Sequence, residues 1–380
     1  MLDVTRPTLL LNKKISITNI SKIKDRADRN NLIMRPHFKT HQSLEVGKWY
    51  KNQGIDRITV SSISMAKYFS KDWNDILIAF PVNILEIETL NNISEKCKLG
   101  LLVDNYIVLE HLTDKLTRNV IIYIKIDVGY KRAGIIYNNL EDIDKIINHC
   151  SDDIKLNFNG FVSHFGDTYN SRSESDIIET YKKSIMKLSK LSESYKNCEF
   201  SVGDTPSNSL VNDYPSFITE IRPGNFIFYD LFQHLIGSCK IEDIALRMIC
   251  PVVSIYKERN EILIYGGSVH FSKDSVHIDD RQCYGYVYNY ENLWNEKNRV
   301  GIVKSLSQEH GIVKVENTQN FTIGDLVSII PVHSCLTVDK MQDFFIEGNK
   351  YSIMGLSRPC VSLFKGINII LLVNQKGSRR

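Results

Sequence analysis

The chain has 380 residues, 43% hydrophobic and 24% charged, an ordinary balance for a folded chain but too long for one core, so two domains are expected. Lys plus Arg number 47 against 44 Asp plus Glu, a net charge of +3, which makes no case for a nucleic-acid or membrane partner.

The N-terminus, Met1 to Pro7, carries no apolar signal segment, and no uninterrupted apolar run reaches membrane length, so a cytoplasmic location is expected. Leu9, Leu10 and Leu11 then read as one short strand or arm. A regular alternation follows. Apolar strand-like runs fall at Leu32–Met34, Ile58–Val60, Ile76–Phe80, Leu99–Val103, Val120–Ile126, Phe158–Val162, Cys198–Val202 and Phe217–Ile221. Between them lie segments with helical spacing, among them Leu44–Tyr50, Met65–Phe69, Ile84–Ile93, Ile143–Ile147 and Ile177–Leu191. Strands separated by helices imply parallel strands with right-handed crossovers. Eight such units predict an α/β fold, a closed (β/α)8 TIM-type barrel over residues 16–245. After about residue 245 the pattern changes to Arg247–Tyr256, Glu261–Tyr265, Val300–Val303, Gly311–Val315, Leu326–Ile330 and Ile367–Val373. This predicts a smaller, mostly-β domain over residues 246–380, with residues 1–15 packing on it. The C-terminal Lys376, Arg379 and Arg380 read as a frayed polar end. The eight cysteines are scattered with no C-x-x-C pair and read as reduced thiols rather than a disulfide frame.

In a (β/α)8 barrel the chemistry sits at the C-terminal ends of the strands, and the polar clusters of this sequence fall there. Strand one ends in Pro36-His37-Phe38-Lys39-Thr40-His41. A desolvated lysine in that place can form a Schiff base with pyridoxal phosphate; a solvated lysine in a polar loop fits the same residues. Strand five ends in Lys125 to Gly134, where Arg132 is aimed inward as partner for a phenolate or carboxylate. Strand six ends in Ser163-His164-Phe165-Gly166-Asp167-Thr168-Tyr169. His164 there can stack on a ring, relay a proton or merely be hydrogen-bonded. Gly203 and Thr205 after strand seven, with Gly224 and Asn225 after strand eight, can offer the donors with which barrels bind phosphate, or simply turn the chain.

The β domain holds Pro331-Val332-His333-Ser334-Cys335-Leu336-Thr337. Read as a strand, residues two apart share a face. His333 and Cys335 would then present imidazole and thiolate together, a pair suited to Zn²⁺. H-x-C by itself is equally a chance match with a core cysteine. Tyr265 to His270 and Gln308 to Gly311 add polar residues, including His270 and His310, with no assigned role.

Together the Pro-His-x-Lys-Thr-His, Lys-x-Asp-x-Gly-x-x-Arg-x-Gly, Gly-Asp-Thr-Pro-Ser, Arg-Pro-Gly-Asn and His-x-Cys blocks resemble one family. It is the fold-type III pyridoxal-phosphate enzymes of the D-serine dehydratase and D-threonine aldolase group, with alanine racemases as distant relatives. The resemblance implies that Lys39 carries the cofactor and that Arg132 lies near its phenolic oxygen. It implies that His164 and Tyr169 line the ring and substrate side, and that Gly203, Thr205, Gly224 and Asn225 hold the phosphate. Arg222 occupies the place that contacts the pyridine nitrogen in alanine racemases. His333 and Cys335 become a metal pair for Zn²⁺, or Mn²⁺ or Mg²⁺. His-x-Cys is the dehydratase pattern, whereas the aldolases tend to carry His-x-Asp.

The expected activity is thus a metal-assisted lyase acting on a small 3-hydroxy D-amino acid, of D-serine dehydratase type, in a homodimer. Retro-aldol cleavage to glycine and an aldehyde, racemization, and non-catalytic cofactor binding are the alternatives.

Overall fold

The apolar runs form two sheets in the computed structural model, which describes residues 3–295 and 298–354. Eight strands line the first: Ile33–Met34, Ile58–Val60, Asp75–Pro81, Lys98–Val103, Val120–Asp127, Leu156–His164, Glu199–Gly203 and Glu220–Ile221. These are barrel strands one to eight. They pair in parallel, two through eight in sequence and then eight with one. The ring closes between one and two, where Thr59 N donates to Pro36 O at 2.9 Å and Phe38 N to Thr59 O at 2.8 Å. The strands read as continuous apolar runs because helices cover one face and the packed barrel interior the other.

Two helices lie outside the segments read above as helical. Lys13–Arg29 buries Ser16, Asn19, Ile20, Ile23 and Ala27, a face too polar to read as a stripe. Asn19 is buried because its amide donates to the carbonyls of Ile227 at 3.2 Å and Asp243 at 2.8 Å. Tyr106–Lys115 buries only Leu109 and Leu112.

In the second sheet, Leu246–Tyr256 pairs antiparallel with Thr8–Leu11, Glu261–Tyr265 and Leu326–Pro331. From Glu261–Tyr265 the sheet runs through His310–Val315, Gly301–Leu306 and Gly285–Asn289 back to Leu326–Pro331, closing a small antiparallel ring. Alternating side chains fill it with Ile262, Ile264, Val303, Val313, Val327 and Ile329, all fully buried. The predicted α/β barrel followed by a mostly-β sheet is the architecture observed. The β part also contains two helices, Ser268–Phe271 and Ser334–Met341.

The predicted Ile367–Val373 strand, Cys360 and the basic tail lie outside the described residues. The other seven cysteines are free thiols. Among the described residues no helix is long and apolar enough to cross a membrane.

The β part meets the barrel at the C-terminal ends of its strands. Phe232 N donates to Val332 O at 3.2 Å, and Asn225 Nδ2 donates to Ser334 Oγ at 3.0 Å. The Ser334–Met341 helix therefore lies against the loops that follow strands one and eight.

Candidate active site

Lys39 sits in the loop after strand one with an exposed side chain. Of the two readings the sequence allows, a desolvated or a solvated amine, the structure shows the exposed one. His37 Nδ1 accepts from Lys39 N at 3.3 Å. Desolvation, then the charges of Lys39 and Arg222, hold His37 neutral, well below the usual imidazole range. His164 ends strand six and is likewise lowered, by desolvation, Lys125 and Arg132 in that order. Its Nδ1 lies 2.5 Å from the Gly203 carbonyl. A carbonyl only accepts, so Nδ1 carries the proton and Nε2 is left as an acceptor. Two neutral imidazoles thus flank the lysine, and neither adds charge to the cleft.

Arg132 lies on the loop after strand five, exposed, with its guanidinium 5.2 Å from the Tyr130 ring centroid. The loop is preformed. The Asp127 carboxylate accepts from Gly129 N at 2.7 Å and Lys131 N at 3.1 Å. Gly134 has φ +117°, and a Cβ there would meet Lys125 Cγ and O at 2.9 Å, so only glycine serves. Lys125, within the same motif, is buried on strand five. Burial and the charges of Arg222 and Arg132 lower its pKa well below the usual lysine range. Sequence reasoning read Lys125 only as part of a strand end; its inward position follows from strand alternation.

The residues predicted for phosphate converge. Thr205 N donates to Tyr169 Oη at 3.1 Å, and Asn225 N and Gly224 N approach Thr205 Oγ1 at 3.0 and 3.4 Å. Three backbone N–H groups therefore donate to the oxygens of two hydroxyls, whose own O–H groups are the donors left for an anion. Beneath them Asp204 caps the Thr205–Leu210 helix, accepting from Ser207 N at 2.6 Å and Thr168 Oγ1 at 2.9 Å. Gly203 is required for close packing, since a Cβ would lie 2.9 Å from Arg222 Cβ and O. Tyr169 stacks on Phe232 at 6.5 Å and lies 6.0 Å from the His164 ring. Arg222 is buried, with Nε on Ser201 Oγ and Nη2 on Ser163 O, both at 2.7 Å. Its guanidinium is thus held by the barrel wall.

His333 and Cys335 do not lie on a strand. The strand ends at Pro331, His333 is the N-cap residue of Ser334–Met341, and Cys335 lies in the first turn of that helix. The strand-spacing reason is wrong, yet the two side chains meet, because the chain turns at the cap and brings the imidazole back onto the thiol. After burial, each is the strongest influence on the other's proton affinity. Burial raises the Cys335 thiol, but the hydrogen bond and charge of His333, with Lys39 next, outweigh it and leave the pKa lowered. Burial lowers His333, but Cys335, Asp230 and Asp274 outweigh it and push the imidazole up to about 10. Cys335 Sγ also lies 3.2 Å from Thr40 Oγ1 and 3.5 Å from Asn225 Nδ2.

Imidazole plus thiolate is a fitting donor pair for a borderline-soft cation. Among the described residues no cluster of three or more His, Cys, Asp or Glu is disposed to hold a metal, so the pair would leave positions open for water or substrate. Nearby, the buried Asn225 Oδ1 has no partner among the described residues, an acceptor that water on a cation would satisfy.

A family model of the alanine racemase N-terminal domain matches residues 16–231, and one of a serine dehydratase domain matches residues 245–346. The D-serine dehydratase of Dictyostelium discoideum is 31% identical, over 94% of this chain and 97% of its own. The D-threo-3-hydroxyaspartate dehydratase of Delftia sp. is 23% identical, over 89% of this chain and 92% of its own. A solved cysteine-to-alanine variant of a D-threo-3-hydroxyaspartate dehydratase, in the metal-free form, aligns with TM-score 0.84 at 21% identity, covering 93% of this chain and 98% of that one. The chain belongs to the D-serine dehydratase family, built on the alanine racemase-type barrel, and that family implies pyridoxal phosphate as cofactor.

Proposed function

We propose that this chain is a pyridoxal-phosphate- and divalent-metal-dependent lyase that acts on 3-hydroxy D-amino acids, with D-serine as the leading substrate. The observation that carries this reading is the 3.2 Å contact between Thr40 Oγ1 and Cys335 Sγ. It joins the residue after the exposed lysine to the imidazole–thiol pair, so one cleft offers both.

Pyridoxal phosphate, when bound, supplies the electron sink for charge that develops at Cα. Lys39 would hold it. The N–H groups of Thr205, Gly224 and Asn225, with the hydroxyls of Thr205 and Tyr169, would grip its phosphate. Zn²⁺, Mn²⁺ or Mg²⁺ on His333 and Cys335 would supply Lewis acidity at a substrate oxygen. The chain's own residues do the rest. Lys39 Nζ, open to the cleft, takes the α-proton. Neutral His164, fixed through Nδ1, leaves Nε2 as an acceptor and lies tilted against Tyr169. Arg132, on its preformed loop, pairs with a phenolate or carboxylate. Arg222 is the buried cation behind them. Loss of the β-hydroxyl from the substrate, followed by hydrolysis of the resulting enamine, gives a keto acid and ammonia.

The His-x-Cys pair favours elimination over retro-aldol cleavage, and the metal-free state named for a solved relative supports the metal. We include in the proposal a homodimer and a cytoplasmic location, with which free thiols agree.

The test is a panel of 3-hydroxy D-amino acids with product identification. Ammonia and a keto acid in equal amounts are expected. Glycine plus an aldehyde would replace elimination with retro-aldol cleavage, and turnover of neither kind would overturn the lyase reading.

A further inference from the structure

His333 has two ring nitrogens, and only one can face Cys335. The other, Nδ1, lies 2.6 Å from Asp274 Oδ2. A carboxylate here only accepts, so Nδ1 carries a proton and the lone pair of the neutral ring lies on Nε2. We infer that Asp274 is the positioning residue of the metal pair: it fixes the tautomer and ring angle of His333 so that Nε2 is the donor to the cation. The inference rests on the metal reading above and deepens it.

The placement of Asp274 is built into the chain. Asp274 follows the helix Ser268–Phe271, and its N–H donates to Ser272 Oγ at 3.2 Å, with Ser272 itself in the left-handed region at φ +76°. That left-handed serine turns the chain back toward the Ser334–Met341 helix. Thr337, two residues after Cys335, donates Oγ1 to the Phe271 carbonyl at 3.2 Å. The helix that leads into the Asp274 turn is thereby tied to the helix bearing Cys335.

The other nearby carboxylate is committed elsewhere. Asp230 Oδ2 accepts from Asn225 Nδ2 at 2.7 Å and Ser334 N at 3.0 Å, and its Oδ1 accepts from Gln233 N at 2.9 Å. Asp274 is therefore the carboxylate left to orient His333. Carboxylates in this relation to a ligating imidazole raise its basicity and fix its rotation, and their loss weakens metal affinity by about 10–100-fold. The competing account is a half-exposed ion pair, with side-chain exposures of 37% and 47%, whose loss would leave zinc affinity unchanged.

The experiment measures zinc affinity, by competition with a chromogenic chelator, on cofactor-loaded protein stripped of metal. Asp274→Ala should weaken zinc by about 10–100-fold, and Asp274→Glu should restore most of it. Cofactor absorbance and the melting temperature of the stripped protein should stay at wild-type values. Unchanged zinc affinity in Asp274→Ala overturns the inference. So does a loss that Asp274→Glu does not rescue and that tracks a fall in melting temperature, because that is a structural role. His333→Ala is the control for the underlying reading. Wild-type zinc affinity in that variant, or no zinc uptake by the wild type, would remove the metal pair itself.

Discussion

Thr40→Val removes one hydroxyl from the junction of the two half-sites and leaves the side chain's volume in place. Thr40 is fully buried, and its Oγ1 lies 3.2 Å from Cys335 Sγ. In metal-free protein the sulfur is the stronger acceptor when ionized, so the hydroxyl stabilizes the thiolate. Hydrogen bonds to charged groups are worth about 1.5–3 kcal/mol, and a pKa unit is about 1.4 kcal/mol. The Cys335 pKa should therefore rise by about one to two units. His333 and Asn225 Nδ2 remain in place, so the change isolates the hydroxyl. Pulsed alkylation across a pH series, read by peptide mapping, measures the midpoint. Selectivity comes from the fold: burial raises the thiols of Cys97, Cys150, Cys198, Cys239, Cys250 and Cys283, whereas Cys335 is lowered. In the wild type Cys335 should react ahead of those six, and zinc should protect it. An unshifted midpoint in Thr40→Val, or a wild-type Cys335 that reacts no sooner than Cys97, would refute the reasoning.

Arg132→Ala should abolish turnover while cofactor stays bound and stability changes within about 0.5 kcal/mol, as for exposed positions generally; a large drop in melting temperature with activity retained would assign it to structure. Glu220→Ala should cost about 1–3 kcal/mol in urea unfolding, because it leaves the buried Arg35 Nε, bonded to Glu220 at 2.7 Å, without its acceptor, although Asp75 still pairs with Nη1. Stability within experimental error of wild type would contradict that. Zinc affinity should climb with pH. His333 is lowered by burial but raised more by Cys335, Asp230 and Asp274, to about 10, so below that pH the metal must displace a proton. The gain should be about tenfold per pH unit above neutrality and level off near the imidazole pKa; a flat profile would show that His333 is not a ligand.

Much of the site could be read from residues because a parallel barrel puts chemistry at strand ends, and polar or glycine clusters there stand out against apolar runs. His37 to His41, Lys125 to Gly134 and Gly203 to Thr205 are cases. What escaped was set by contacts with no local pattern. The Lys13–Arg29 helix buries Ser16 and Asn19, and Asn19 Nδ2 donates to carbonyls more than 200 residues away. His333 and Cys335 are joined by a helix cap, which gives no period to read. Asp274 meets His333 across 59 residues from a loop without a motif. Lys39 is exposed because the cleft lies between the two sheets, a geometry that no single segment encodes.

The most direct test of the account is turnover of D-serine by the cofactor-loaded protein before and after chelation, with the visible absorbance of the cofactor followed in the same sample. The proposed function gives Lys39, the phosphate donors and the His333–Cys335 pair separable duties. Chelation should therefore abolish ammonia and keto-acid production while the yellow colour persists, and added Zn²⁺ or Mn²⁺ should restore it. Borohydride should fix the cofactor on Lys39 in both states. Full turnover in metal-stripped protein, or cofactor fixed on another lysine, would contradict the account.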